Sequence, residues 1–496
     1  MISRVKQNIE TYSTNQAFVI NETGVTYAQF GQLISNIRNV LRSIPYHKNE
    51  IIGVVTNNDI ETYASIYALW FNGLCFVPIN PLFPANRNQA TIEQTSIRYV
   101  LSSKDANDGI ILNNDIQILS TKNLPDSPIN LSLPELSDED LMYILFTSGS
   151  TGVPKGVPIN RGNLNGLVSG FFSIGYSLNE NDKFLQMFDF TFDISVLCYV
   201  LPLCIGASVH TIPLDNIKFF AIYQILQRHQ ITVAMMVPSV IAFLRPYFNK
   251  IRLPDVKLSL FSGEALYDEI VAEWTNCVPN AIIQNYYGPT EATVDCILFT
   301  WDKSSRGTKT YNGIVAIGKP FGDTKTLILD SNNCVVNGSE KGELCISGNQ
   351  VTKGYYKLPE KNESSFVTIN GLRYYRTGDL VYRDDDDDLL FCGRIDHQVQ
   401  IHGYRVELGE LEHASKQIAG NIQVTAIAYE RALGNTEIHL FLESCSISIP
   451  EVAIYLQKVL PSYMQPIKII NLETFPLTSS GKINRNELLN MIEKQQ

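Results

Sequence analysis

Residues Thr147, Ser148, Gly149, Ser150, Thr151, Gly152, Val153, Pro154, Lys155 and Gly156 form one decapeptide, TSGSTGVPKG. Its glycines let backbone N–H groups approach a ligand closely, its four hydroxyls add donors, and Lys155 adds a positive charge. That is the chemistry of a phosphate cradle. It departs from a Walker loop, which ends in Gly-Lys-Ser/Thr, because Pro154 precedes the lysine and Gly156 follows it. The apolar run Tyr143-Ile144-Leu145-Phe146 just before it reads as a buried strand, a context in which a Ser/Gly-rich surface linker is rare.

The elements around that loop read as α/β. Ile51 to Val55 and Cys75 to Ile79 are strand-like runs separated by a helical stretch from Ile60 to Phe71, which implies parallel βαβ layering. Three further strands end in small or polar residues. Ile231 to Val237 runs into Ser239, Leu258 to Ser262 into Gly263 and Glu264, and Ala281 to Tyr286 into Tyr287-Gly288-Pro289-Thr290-Glu291. Open α/β sheets bind ligands at such carboxyl ends. From about residue 310 short strands with Gly/Asn/Asp turns predict a β-rich subdomain. The aspartate run 384–388 reads as a solvated hairpin tip rather than a metal site. Residues 397–496 read as a small α+β unit.

Composition excludes several classes of function. A chain of 496 residues predicts two or three domains, and a net charge of -11 argues against a nucleic-acid surface. Nine scattered cysteines without a CxxC pair point to reduced thiols in a cytoplasmic protein. Met1 to Gln16 has no apolar signal region. Ile194 to Leu214 carries no charged residue, but Pro202, Gly206 and His210 interrupt it, so it reads as a buried helix followed by a buried strand and not as a membrane span.

In order and spacing these motifs resemble the adenylate-forming superfamily, and within it nonribosomal peptide synthetase adenylation domains and D-alanine–carrier-protein ligases. The resemblance rests on TSGSTGVPKG, on Val77 to Arg87, on YGPTE at 287–291, on YRTGD at 375–379, on GRID at 393–396 with GYR at 403–405, and on PLTSSGKINR at 476–485. It implies a large N-terminal core (1–393), a hinge at 394–396 centred on Asp396, and a mobile C-terminal lid (397–496). It further implies ATP and Mg2+ as cofactors. Gly263, Glu264, Asn285, Tyr286 and Tyr287 would surround the adenine, Asp379 the ribose hydroxyls, and Arg394 would lie near the nucleotide. Thr290 would donate to the α-phosphate, Glu291 would hold the metal, and Lys482 would be the catalytic lysine. No separate nucleophile is required, because the substrate's own carboxylate attacks phosphorus.

Phe192-Asp193-Ile194-Ser195 has the form that places an aspartate on a substrate ammonium, since a buried carboxylate without a cationic partner is costly. By the same resemblance Asp193, Ile194, Leu197 and Ser239 line the amino-acid pocket. Leu260, Ser262, Tyr286, Val294 and Asp295 complete it. Asp295 has no assigned partner there: either a donor on the substrate side chain meets it, or it bonds to backbone or faces water. The expected activity is formation of an aminoacyl-AMP and transfer to the phosphopantetheine thiol of a carrier protein. That carrier is expected in trans, because no carrier motif follows Ile483 and the chain starts at Met1. Neither nucleic acid nor membrane is an expected partner. The competing readings are a CoA ligase for a small carboxylic acid, disfavoured by Asp193, and a silent scaffold, disfavoured because Lys482, Glu291 and Asp379 are all present.

Overall fold

The computed structural model describes residues 1–104, 116–149, 154–213, 218–396, 398–420, 422–432, 435–477 and 483–494. The runs Ile51–Val55 and Cys75–Ile79 are apolar throughout, which suits strands covered on both faces. They pair in parallel, from Ile51 opposite Cys75 to Val55 opposite Ile79, and the helix Ile60–Phe71 crosses between them. Asp59 caps that helix by accepting from the Thr62 amide at 2.9 Å. They are the middle of a six-stranded sheet that runs Gln117–Ser120, Tyr99–Ser102, Ile51–Val55, Cys75–Ile79, Leu141–Thr147, Lys155–Asn160. The last pair is antiparallel, with Thr147 opposite Lys155, so the glycine- and hydroxyl-rich stretch joins two hydrogen-bonded neighbours.

A second, nine-stranded sheet has Ile282–Tyr287, Leu258–Phe261, Val233–Met236 and Lys183–Gln186 as parallel neighbours at its centre. The uncharged stretch after Ile194 resolves into the helix Ile194–Leu203 and the strand Ser208–Thr211, both buried. Among the described residues no helix is long and apolar enough to cross a membrane. All nine cysteines are free thiols and most are buried.

The β-rich part holds Lys325–Leu329, Gly342–Ser347, Leu372–Arg383 and Leu389–Arg394 in one sheet. The aspartate run is the turn between the last two strands. It is not simply solvated: Lys309 Nζ reaches Asp384 at 2.7 Å, Asp386 at 2.6 Å and Asp388 at 2.9 Å, so one ammonium bridges three of the five carboxylates in the crowded turn. From Gln398 on, the hairpin Gln398–Ile401 and Tyr404–Glu407, the helix Leu408–Ala419 and a three-stranded sheet enclose a hydrophobic cluster of their own, centred on Val406, Leu411, Leu440, Val452 and Leu456.

Three local findings add to the sequence reading. The polar N-terminus forms the helix Ile2–Thr11, which needs only Ile2, Val5 and Ile9 to reach the core. Residues 102–140, without an assignment from sequence, contribute the edge strand Gln117–Ser120. The helix that follows the strand Lys155–Asn160 begins at Arg161, because Asn160 is its N-cap. The Asn160 side chain accepts from the Asn163 amide at 2.8 Å, and the Asn160 amide donates to Asn163 Oδ1 at 3.0 Å. Replacing Asn160 with alanine removes the side-chain half of this reciprocal cap. The expected result is a loss of about 1 kcal/mol in urea unfolding of the core with an unchanged slope; an unchanged midpoint would show that the cap contributes nothing.

Candidate active site

The strand Ile282–Tyr287 and its antiparallel neighbour Ile297–Trp301 are joined by residues 288–296, which carry the Gly-Pro-Thr-Glu motif. Glycine is obligatory at 288: a Cβ there would lie 2.2 Å from the Val294 carbonyl oxygen. Glu291 follows in the short helix Thr290–Ala292 and is fully buried. Its carboxylate accepts from Arg405 Nη1 at 2.9 Å and from the Tyr355 hydroxyl at 2.6 Å. Burial alone would raise its pKa, but Arg405, Tyr355 and Lys155 outweigh that and hold it down at about 2.

Arg405 belongs to the C-terminal hairpin, so Glu291 is where that unit meets the core. Around it Ser148 Oγ donates to the Arg405 carbonyl at 2.9 Å and accepts from the Glu407 amide at 3.2 Å. Lys155 Nζ stands 3.5 Å from Glu407, its pKa lowered by burial and by neighbouring Arg405. Farther out, Arg87 and Glu410 form a buried pair at 2.8 Å. Tyr404 stacks on Tyr463 with ring centroids 3.9 Å apart.

Asp379, on the strand Leu372–Arg383, is nearly buried and also paired. Arg394 Nη1 donates to its Oδ1 at 2.8 Å and the Tyr287 hydroxyl donates to Oδ2. Burial still leaves its pKa above the ordinary carboxylate range. The same guanidinium forks onto Asp396 at 2.9 and 2.7 Å, two residues further along the chain. Asn285 donates its amide to the carbonyls of Val315 and Ala316 at 3.3 and 3.0 Å.

Asp193 differs from these two. It precedes the helix Ile194–Leu203, is buried, and no basic side chain forms an ion pair with it among the described residues. Burial raises its pKa to about 6 against a hydrogen bond from Thr290. It opens on a cavity of about 40 Å³ at the junction of core and hairpin, whose wall also includes Thr147, Ser148, Phe192, Thr290, Tyr404 and Arg405.

Five residues singled out from sequence therefore meet at one cavity: Thr147, Ser148, Phe192, Asp193 and Thr290. Ile194 and Phe192 approach within 3.5 Å of the Cβ position of Gly263. Leu197, Ser239, Leu260, Ser262, Tyr286, Val294 and Asp295 are all buried. Glu264 is held by backbone donors, the Ser239 amide at 2.8 Å and the Gly403 amide at 2.7 Å, and so ties the wall to the hairpin. Ser150, Thr151, Gly152 and Lys482 lie outside the described residues, while Leu477 and Ile483, which flank Lys482, pair with each other. Tyr355, Glu407 and the role of Arg405 are additions that the sequence reading missed. Arg405 was visible as part of a Gly-Tyr-Arg motif, but nothing in sequence connects it to a carboxylate 114 residues away.

The family described as AMP-binding enzyme matches residues 5–356. A linear gramicidin synthase of Brevibacillus parabrevis is 32% identical over 481 residues, 94% of this chain and 9% of that protein. A plipastatin synthase of Bacillus subtilis (strain 168) is 31% identical over 480 residues, 95% of this chain and 13% of that protein. The chain thus spans only a small part of the length of these relatives. Its fold is that of the Vibrio cholerae adenylation domain AlmE, solved in complex with glycyl-adenosine-5'-phosphate: the TM-score is 0.87 at 23% identity, covering 99% of this chain and 97% of that one.

Removing Arg405 leaves the buried Glu291 carboxylate without its ion-pair partner. Arg405→Met is expected to weaken docking of the hairpin by about 3 kcal/mol, and adding Glu291→Gln should recover most of that. Amide hydrogen exchange across Gln398–Glu407 reads both steps. Equal protection in wild type and Arg405→Met would show that the pair does not hold the hairpin.

Proposed function

The chain belongs to the AMP-binding enzyme family, and from that premise we propose that it activates an amino acid as its adenylate and passes it to a carrier protein. One observation carries the choice of an amino acid: Asp193 is a buried carboxylate at the active cavity with no basic partner among the described residues, and a substrate ammonium supplies one. A plain carboxylic acid would leave that charge unmet.

In this reading the substrate's carboxylate oxygen attacks the α-phosphorus of ATP, the bond to the β-phosphate oxygen breaks, and pyrophosphate leaves. Asp193 orients the substrate by its amine, which puts the carboxylate beside Thr290 and the hydroxyls of Thr147 and Ser148. Those hydroxyls, the cation Lys155 and the proposed lysine Lys482 face charge that grows around phosphorus. Asp379 accepts from the ribose hydroxyls once Tyr287 and Arg394 yield its oxygens, and Asn285 and Tyr287 meet the adenine. Glu291 fits a hard divalent cation, being a single carboxylate held ionised well below neutral pH. When bound there, Mg2+ neutralises phosphate charge. In the second half-reaction the phosphopantetheine sulfur of the carrier attacks the acyl carbon, AMP leaves with the bonding pair, and the thiol proton goes to solvent. Rotation of the unit from about 397 about Asp396 would exchange Lys482 for the Arg405 hairpin between the two steps.

The test is ATP–pyrophosphate exchange across a panel of amino acids and simple carboxylic acids, with a carrier protein or CoA then supplied in trans. Exchange with an amino acid is expected, falling by about 10²–10³-fold or more in Lys482→Ala. Exchange with acids that lack an amine, followed by thioester formation on CoA, would establish the CoA-ligase reading instead. In a second experiment Asp396→Pro, which fixes φ at the hinge, is expected to spare one half-reaction and impair the other. Equal loss of both would remove Asp396 from the hinge role.

A further inference from the structure

The helix Tyr27–Leu41 buries one basic side chain, Arg38, which is 6% exposed. A buried guanidinium is costly unless a carboxylate answers it. Arg87 and Arg405 at the junction each have such a partner, Glu410 and Glu291. Arg38 breaks that pattern: among the described residues no carboxylate forms an ion pair with it. Its Nη1 donates to the Asn130 carbonyl at 2.6 Å, and its Nε is buried with no hydrogen-bond partner among the described residues. Arg42, one turn further along the chain and exposed, adds a like charge where an opposite one is needed. Burial first, and then Arg42, hold the Arg38 pKa below its usual value.

Arg38 stands in the wall of a cavity of about 400 Å³, within the range of sites that hold small molecules. None of its lining residues belongs to the cavity at Asp193. Lys48 and Tyr46 share the wall, and Leu133 and Pro134 give it apolar surface. Lys48 Nζ is 2.9 Å from Asp140, but its side chain is 54% exposed and an ammonium has three donors to place. Among the described residues Glu135 is the one acid of the wall, and it is exposed. The cavity is built in: the Asn130 amide donates to Ser35 Oγ at 3.0 Å and Gln32 Nε2 donates to the Ser127 carbonyl at 2.7 Å. Those bonds fasten the segment before Leu133 to the helix, so the wall cannot fold in over the guanidinium. On a chain of net charge -11, a buried cation is here held open to the outside with no anion of its own.

We propose that this cavity is a second binding site, separate from the one at Asp193, and that it takes a small organic molecule through a compact oxyanion, phosphate or carboxylate, set against Arg38 and Lys48. With Nη1 engaged by Asn130, the guanidinium keeps the edge formed by Nε and Nη2, which makes no hydrogen bond among the described residues. Two parallel N–H groups on one edge match two oxygens of such an anion. The ligand supplies the countercharge that the fold withholds. Tyr46, Leu133 and Pro134 receive its body, which favours an organic anion over a bare ion. The inference is independent of which acid the chain activates.

The experiment is amide hydrogen exchange of the full chain with phenyl phosphate, benzoate or inorganic phosphate added, read across residues 38–48 and 130–135. Protection of both segments that saturates with concentration is expected from phenyl phosphate, from benzoate or from both, and the stronger of the two identifies the oxyanion. Inorganic phosphate, which has no body for the apolar wall, should bind more weakly than phenyl phosphate. Lys48→Gln is expected to weaken the binding by about tenfold, and Glu135→Gln, which removes the acid of the wall, to tighten it by about twofold or more. Arg38→Met should abolish it; if that variant does not fold, the substitutions at exposed Lys48 and Glu135 decide by themselves. Phosphate held by the glycine- and hydroxyl-rich stretch at 147–156 is told apart by where protection falls and by its indifference to Lys48→Gln. Protection confined to the strands flanking that stretch overturns the site. So does protection matched by sodium chloride of equal ionic strength, or an affinity that neither exposed-site variant changes, or no protection by any of the three anions.

Discussion

The charge of one fully buried carboxylate governs how the two parts of the chain meet. Glu291 is at 0% exposure, and an isolated charge in that position is strongly disfavoured. The core contributes the Tyr355 hydroxyl and the nearby charge of Lys155, but the paired cation is Arg405, which the C-terminal hairpin supplies. Docking the hairpin and neutralising the active site are thus the same interaction. The contacts around it follow from that requirement: Ser148 fixes the hairpin backbone, Glu264 caps its turn through the Gly403 amide, and Arg87 with Glu410 repeats the exchange of charge at the rim. Because these partners are buried, added salt screens them little.

Four buried acids of the core separate by what answers them. Glu291 and Asp379 each have an arginine and a tyrosine hydroxyl on their oxygens. Among the described residues Asp193 and Asp295 have no arginine or lysine paired with them, and burial lifts both pKa values, to about 6 and about 8. The first two are satisfied within the protein in this arrangement, and anything else that is to bind their oxygens must displace a protein partner. The second two are buried without such a partner, so their charged forms are the less favoured.

Much of this was legible in sequence where the signal is local. Ile51–Val55, Ile60–Phe71 and Cys75–Ile79 fall where composition put them, since a run buried on all sides has no solvent face to blur its ends. The Gly-Pro-Thr-Glu turn, the hydroxyls of Thr147 and Ser148 and the carboxylate of Asp193 were readable as candidates for one place because each belongs to a short run of unusual residues, and all three line or border one cavity. The N-terminal helix was not, for its three apolar contacts are diluted among polar residues. Nor was the coupling of Arg405 to Glu291, a fact of tertiary docking without a sequence period. Asp295 lay between: its type posed the question of a partner, and the structure gives its Oδ1 the Ser262 hydroxyl, a contact between strands that no local pattern announces.

Glu291 is also a point of competition. Both of its oxygens are occupied here, one by Tyr355 and one by Arg405. Any other cation bound at this carboxylate would have to displace the Arg405 guanidinium, and the hydrogen bonds that Ser148 makes to the hairpin backbone would then lose their main electrostatic support. Occupancy of Glu291 and docking of the hairpin are linked for that reason, through a single exchange of countercharge.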